Sequence, residues 1–263
     1  MQEASVYFIG AGPGALDLLT VRAERLIRQA DLIIYADSLV NPEIAALAKP
    51  GTRLLGSSGM SLNEMVSRMI EAAGAGEIVA RVHSGDPSIY GAIREQMAAL
   101  AAAGVIYAVI PGVSSVLAAA AALQVELTVP EVSQAVILCR AEDRTPVPDG
   151  QRLSELARHR ATMAIYLSAG MVERVVEELL QGGYAPETPV AVVYRATWPD
   201  ERIVRGTLSG IADELRTSGI SRQALILVGE GLKPVDGGAV SPTSLLYDPS
   251  FSHGYRAASM GEI

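Results

Sequence analysis

Three short β-rich runs in the first half of the chain each end on a glycine-containing turn, and this pattern narrows the possible folds more than any other feature. Ser5–Ile9 runs into Gly10-Ala-Gly-Pro-Gly14, Ile78–Val82 into Ser84-Gly-Asp-Pro87, and Val105–Ile110 into Pro111-Gly112. Helical patterns lie between them. Leu18–Ala30 carries Leu19, Ala23, Leu26, Ile27 and Ala30 on one face. Ser61 and Glu64 form a capping box at the head of a helix reaching about Ala75, and a further helix runs to about Ala103. Asp31–Ala36 is dominated by a continuous apolar stretch, as expected of a strand covered on both faces, and Arg53–Leu55 is a shorter candidate. Strand alternating with helix predicts a mostly parallel sheet. The carboxyl ends of its strands then share one rim, where open α/β sheets bind ligands, so the three glycine turns converge there.

The second half differs in character. Gln134–Cys139, Met163–Ser168, Val190–Arg195 and Leu225–Gly229 read as strands, and Met171–Gln181 as a helix. Glu201–Leu208 alternates charged and apolar residues, the mark of a half-exposed antiparallel strand. The expected architecture is therefore two α/β domains: a mostly parallel one over residues 1–112 and a mixed one over 113–233. Residues 234–263 form a Pro-, Gly- and Ser-rich tail that wraps back through Leu245-Leu-Tyr247.

Composition excludes several classes. With 263 residues, 49% of them hydrophobic and 19% charged, the chain can bury a sizeable core and is not disordered. A net charge of −8 and few aromatic residues argue against a nucleic-acid binder. The apolar run Val113–Val125 is too short to span a bilayer, and no basic segment precedes an apolar stretch at the N-terminus, so a cytoplasmic protein is expected. One cysteine, Cys139, leaves no intramolecular disulfide, and the three histidines, His83, His159 and His253, lack metal-ligand spacing, so no metal is expected. Each histidine reads as a surface or hydrogen-bonded side chain. All but two of the 21 basic residues are arginines, which suits carboxylate recognition by bidentate pairing. Arg53, Arg81, Arg144 and Arg195 lie near candidate loops and read as cleft-facing or as ordinary surface residues.

Each turn has more than one reading. Gly10-x-Gly12-x-x-Ala15, with Asp37 after the next strand, satisfies a dinucleotide fingerprint on its face. Pro13 removes an N–H that would cradle a pyrophosphate, however, and Asp17-Leu-Leu-Thr20 separates the glycines from the helical pattern. A tight loop lining some other pocket fits as well; a dinucleotide-dependent reductase is the reading from a different class. Ser84–Tyr90 is a ligand-facing loop or a helix cap with Pro87 at the first helical position. Ser114 or Ser115 can cap the next helix.

Taken in order, Val6–Gly14 with Leu18-Leu-Thr20, Ala36-Asp-Ser-Leu-Val40, Ser84-Gly-Asp-Pro87 and Pro111-Gly-Val-Ser114 resemble the motifs of the tetrapyrrole methylases, a class of S-adenosylmethionine-dependent methyltransferases. The resemblance covers about residues 5–233. Tyr35–Val40 and Leu246–His253 point to a branch acting on a corrin precursor. The resemblance implies a cytoplasmic homodimer, a tetrapyrrole substrate, and S-adenosyl-L-methionine held in a cleft between the domains. It implies donor contacts at Pro13, Ser84, Gly85, Asp86, Ile89, Ser114, Ser115, Leu167 and Ala196. Asp37 falls where relatives place a proton acceptor. The lysine that serves them as proton donor is absent, and Ser57 stands in the equivalent stretch.

Overall fold

The computed structural model describes residues 4–233 and 244–258. Its residues group into two compact units, one of residues 4–122 with 195–202, the other of 123–194 with 203–233 and 244–258.

In the first unit the chain alternates β1 (Val6–Gly10), α1 (Val21–Gln29), β2 (Leu32–Tyr35), β3 (Arg53–Gly56), α2 (Leu62–Gly74), β4 (Val79–His83), α3 (Ile93–Ala102), β5 (Tyr107–Ile110) and α4 (Ser115–Leu123). The sheet order is β3-β2-β4-β1-β5, with all pairings parallel. One face packs Ile9, Ile33, Ala80, Val82 and Ile110 against Ala23, Leu26 and Ile27 of α1. The other packs Phe8, Ile34 and Val79 against Met65 and Met69 of α2 and Leu100 of α3. β1 and β4 are neighbours, yet the chain leaves them toward helices on opposite faces. That opens a crevice at their carboxyl ends, the topological switch point of a doubly wound sheet.

Local signals account for the element boundaries. The Ser61–Glu64 capping box forms as expected, with the Glu64 carboxylate accepting the Ser61 N–H at 2.7 Å. Two helices begin later than the periodicity predicts. α1 starts at Val21 because the Thr20 side chain accepts the Ala23 N–H at 3.1 Å, and a 3-10 turn at Leu16–Leu18 precedes it. α3 starts at Ile93 behind Ala92, whose left-handed φ of +48° breaks the helix. Residues 84–92 are thus loop, and the helix-cap reading of Asp86 and Pro87 fails.

The second unit contains β6 (Val136–Arg140), α5 (Leu153–Leu156), β7 (Thr162–Tyr166), α6 (Val172–Gln181), β8 (Pro189–Tyr194), β9 (Arg202–Thr207), α7 (Ile211–Ser218) and β10 (Ala224–Val228). Its order is β6-β7-β10-β8-β9; β6 runs parallel to β7, while β10 is antiparallel to both β7 and β8. This is the expected mixed sheet, with half-exposed β9 at its edge. Its core gathers Met163, Ile165, Leu179, Ile211 and Ile226. Leu245–Tyr247 forms a 3-10 turn, but its side chains are 60%, 50% and 73% exposed, so this triplet does not fold back into a core. Residues 234–243 of the expected tail lie outside the described residues. No helix among the described residues is long and apolar enough to cross a membrane.

Candidate active site

At the carboxyl rim of the first sheet three loops close on one another through glycine. Gly12 donates its N–H to the Gly85 carbonyl at 3.2 Å, and Gly85 returns one to Gly12 at 2.7 Å, an antiparallel bridge just beyond the parallel β1–β4 pair. A Cβ on Gly10 would stand 2.6 Å from the Gly112 nitrogen and from the Gly85 oxygen; one on Gly112 would stand 2.2 Å from the Gly85 oxygen. Backbone approaches backbone here, so no side chain fits between. Gly85 adopts φ +62°, and its missing Cβ would lie 3.7 Å from Ser114 Cα and from the Ser115 nitrogen. Loops separated by 27 to 102 residues in sequence are thus one surface.

Asp86 fastens it. One carboxylate oxygen accepts the Gly112 N–H at 2.9 Å, and the other accepts the Ser88 N–H at 2.8 Å together with the Ser88 hydroxyl. Partial burial works against the charge, but these hydrogen bonds outweigh it and hold the carboxyl below its usual range. Ile89 follows on the same turn, donating its N–H to the Asp86 carbonyl at 3.2 Å. Ser84, Ser114 and Ser115 are half-buried beside this knot.

Asp37 sits just beyond β2, exposed. Its carboxylate accepts the Ser58 N–H at 2.8 Å and the Ser58 hydroxyl at 2.7 Å. Those two bonds, hydroxyl first, hold its pKa below the ordinary aspartate value. The approach needs Gly56, where a Cβ would stand 2.7 Å from the Asp37 carboxyl carbon. The carboxylate thus pairs chiefly with Ser58, while the Ser57 N–H donates to the Tyr35 carbonyl at 2.9 Å and adds a smaller lowering of the Asp37 pKa.

Beneath the rim, Arg81 is a buried cation. Its Nε donates to Gln96 Oε1 at 3.2 Å and its Nη1 to the Ile34 and Val82 carbonyls at 3.3 and 3.2 Å. Burial lowers its pKa to about 10, opposed by the charge of Asp37, so it stays protonated near neutrality. It is committed to the interior and does not face a cleft. Arg53 pairs with Glu77 at the amino end of β3, the opposite edge of the sheet. Arg195 pairs with Asp200, and Arg144 is exposed in the loop after β6. The expectation for His83 is corrected too: it is 5% exposed, burial and the neighbouring Arg81 charge push its pKa down to about 3, and its Nε2 has no hydrogen-bond partner.

The first loop is held from a direction that sequence patterns do not reveal. Asn41 Nδ2 donates to the Gly14 carbonyl at 3.0 Å, Thr197 Oγ1 accepts the Ala15 N–H at 3.0 Å, and Trp198 Nε1 donates to the Pro13 carbonyl at 2.9 Å. Pro13 and Ala196 are both buried. The structure thus gathers Pro13, Gly85, Asp86, Ile89, Ser114 and Ser115 around the glycine knot, with Ala196 in the segment that ties the first loop. Leu167 belongs to the second unit, in the turn after β7, 70% exposed at φ +55°. The dinucleotide reading loses its footing, because α1 starts seven residues beyond Gly14 and its first turn is capped by Thr20.

Comparison with known proteins adds the following. The family model described as Tetrapyrrole (Corrin/Porphyrin) Methylases matches residues 5–212. A cobalt-precorrin-4 C(11)-methyltransferase of Priestia megaterium is 49% identical over 257 residues, covering 98% of this chain and 99% of the relative. The X-ray structure of a cobalamin biosynthetic enzyme, a cobalt precorrin-4 methyltransferase, is 51% identical, with TM-score 0.85 over 87% of this chain and 96% of that one. A uroporphyrin-III C-methyl transferase from Thermus thermophilus, complexed with S-adenosyl homocysteine, is 30% identical, with TM-score 0.73 over 87% and 99% of the two chains.

Proposed function

Because this chain belongs to the tetrapyrrole (corrin/porphyrin) methylases, we propose that it transfers a methyl group from S-adenosyl-L-methionine to C-11 of precorrin-4 or cobalt-precorrin-4 in corrin-ring biosynthesis. The observation that carries the donor site is the closure of three strand-end loops at Gly10, Gly85 and Gly112. The branch rests on near-full-length similarity to enzymes so named. A cytoplasmic homodimer is part of the same proposal.

The residues at the rim suit this donor. The Gly85 backbone is paired with Gly12, so the half-buried hydroxyls of Ser84 and Ser115 beside it are the groups that suit hydrogen bonding to an amino-acid end. Within the first unit, Pro13, Ile89 and Ala196 complete the proposed donor contacts.

The donor, when bound, supplies an already activated methyl group, so the protein needs no nucleophile of its own. Its task is alignment. Holding the ring carbon on the line of the methyl–sulfur bond and excluding water contributes roughly 7–11 kcal/mol in favourable cases. Rigid loops serve that purpose, and the tie from Asp86 to Gly112 keeps two of them in fixed relation. In this reading Asp37, ionised and exposed, takes up the proton displaced from the ring.

Incubation of the protein with methyl-labelled donor and the macrocycle, with and without cobalt, tests the reading. A mass gain of one methyl, located at C-11 by NMR, is expected. Label at another ring carbon, or turnover only with uroporphyrinogen III, would reject the branch while keeping the family.

A further inference from the structure

The backbone around Pro13 is held largely from outside its own loop. The loop leaves β1, contains a residue without an N–H, and is followed by a 3-10 turn rather than by an α-helix. Its polar groups are instead claimed one by one from outside: the Pro13 carbonyl by Trp198, the Gly14 carbonyl by Asn41, the Ala15 N–H by Thr197. Two of the three claimants come from one short segment, and Thr197 lies 182 residues from Ala15 in sequence. Gly14 is shaped to receive it, since a Cβ there would stand 2.2 Å from Cδ1 and Nε1 of the Trp198 indole.

The segment is itself braced. The Arg195 guanidinium lies 4.1 Å from the centre of the Trp198 ring and pairs with Asp200 at 2.7 Å. The Glu201 carboxylate accepts the Thr197 N–H at 2.6 Å. Arg195 and Thr197 hold φ +47° and +70°, conformations that L-residues adopt only when their surroundings impose them. Ala196 lies between these two, and Pro13 lies under the indole N–H. Two of the proposed donor contacts, 183 residues apart in sequence, therefore share one tie.

We propose that Thr197 and Trp198 are positioning residues for methyl transfer, setting the Pro13–Ala15 backbone in the shape that receives the donor, so that segment 195–202 and the first loop act as one donor-binding element. The inference rests on the donor reading above. It predicts a defect in donor binding and not a general loss of folding, because a loop set in advance binds without having to be ordered.

The test uses the full chain and S-adenosylhomocysteine. Thr197→Ala removes the acceptor of the Ala15 N–H, Thr197→Ser keeps it, and Trp198→Phe keeps a ring over Gly14 while losing the donor to Pro13. Calorimetry should show Thr197→Ala and Trp198→Phe binding S-adenosylhomocysteine about three- to tenfold more weakly, the size that one neutral hydrogen bond supports. The KM for the donor should rise in parallel, with a smaller change in kcat, and Thr197→Ser should restore both constants. If Trp198→Phe does not fold, the Thr197 pair decides alone. Binding by Thr197→Ala within a factor of two of the parent, or failure of Thr197→Ser to restore it, overturns the proposal. A parent protein that does not bind S-adenosylhomocysteine removes the donor reading and this role with it, whereas an active parent with indifferent variants removes this role only.

Discussion

The Asp86 carboxylate accepts the Gly112 N–H at 2.9 Å and so locks the loop after β4 to the loop after β5, although its position before a proline makes it look like a helix cap. The tie acts on loops rather than on a helix, because α3 starts only at Ile93. Asp86→Ala should therefore loosen the rim and weaken S-adenosylhomocysteine binding, measured by calorimetry. Asp37→Ala should leave that binding nearly intact and lower kcat instead. Unchanged affinity in the Asp86 variant would take it out of the donor site.

Gly112 gives the complementary test by adding bulk. An alanine Cβ there meets the Gly85 oxygen at 2.2 Å and Gly10 Cα at 2.8 Å, all backbone that cannot rotate away. Gly112→Ala should cost about 1–3 kcal/mol in urea unfolding, the usual penalty of overpacking, and should abolish donor binding. A variant as stable as the parent would mean that the knot is looser than drawn.

The Ser58–Asp37 pair predicts a pH effect. Hydrogen bonds from Ser58 lower the Asp37 pKa, so the carboxylate stays ionised below the usual aspartate range, and activity that depends on it falls only as pH drops through that lowered value. Ser58→Ala should move the acid limb of the kcat profile upward, toward ordinary aspartate. An unmoved limb would show that Asp37 does not set it.

His83 predicts a pH dependence of stability with the opposite chemistry. Its folded pKa of about 3 lies below the ordinary histidine value of 6.5, so between these values the unfolded chain binds the extra proton. Stability contributed by neutral His83 is therefore whole above 6.5 and is lost as pH falls toward 3, with a slope of at most roughly 1.4 kcal/mol per pH unit. His83→Leu should flatten the unfolding free energy across that window. Equal slopes in parent and variant would argue against a buried neutral imidazole.

Cys139 should be inert while the protein is folded. It is 7% exposed, and burial pushes its thiol up to about 12, so the reactive thiolate is scarce near neutrality. A thiol reagent should label it only at the rate of unfolding. Rapid stoichiometric labelling of the native protein would contradict this.

Much of this architecture was legible in the residues themselves. Apolar runs of four to six residues alternating with 3.6-period segments specify a parallel α/β unit, and parallel strands necessarily deliver Gly10, Gly85 and Gly112 to one rim. Those are local periodicities joined by a rule of connection, which is why the converging glycine turns could be placed without coordinates, whereas Pro13, Asp86 and Ser114 enter as donor contacts only through the resemblance to the tetrapyrrole methylases. The start of α3 at Ile93, the orphaned Nε2 of His83 and the commitment of Arg81 to Gln96 could not be, because each depends on what surrounds a side chain after packing. The same holds for Trp198 over Gly14 and for Ser58 on Asp37: periodicity tells which face a residue takes, but only the folded backbone decides which distant atom it meets.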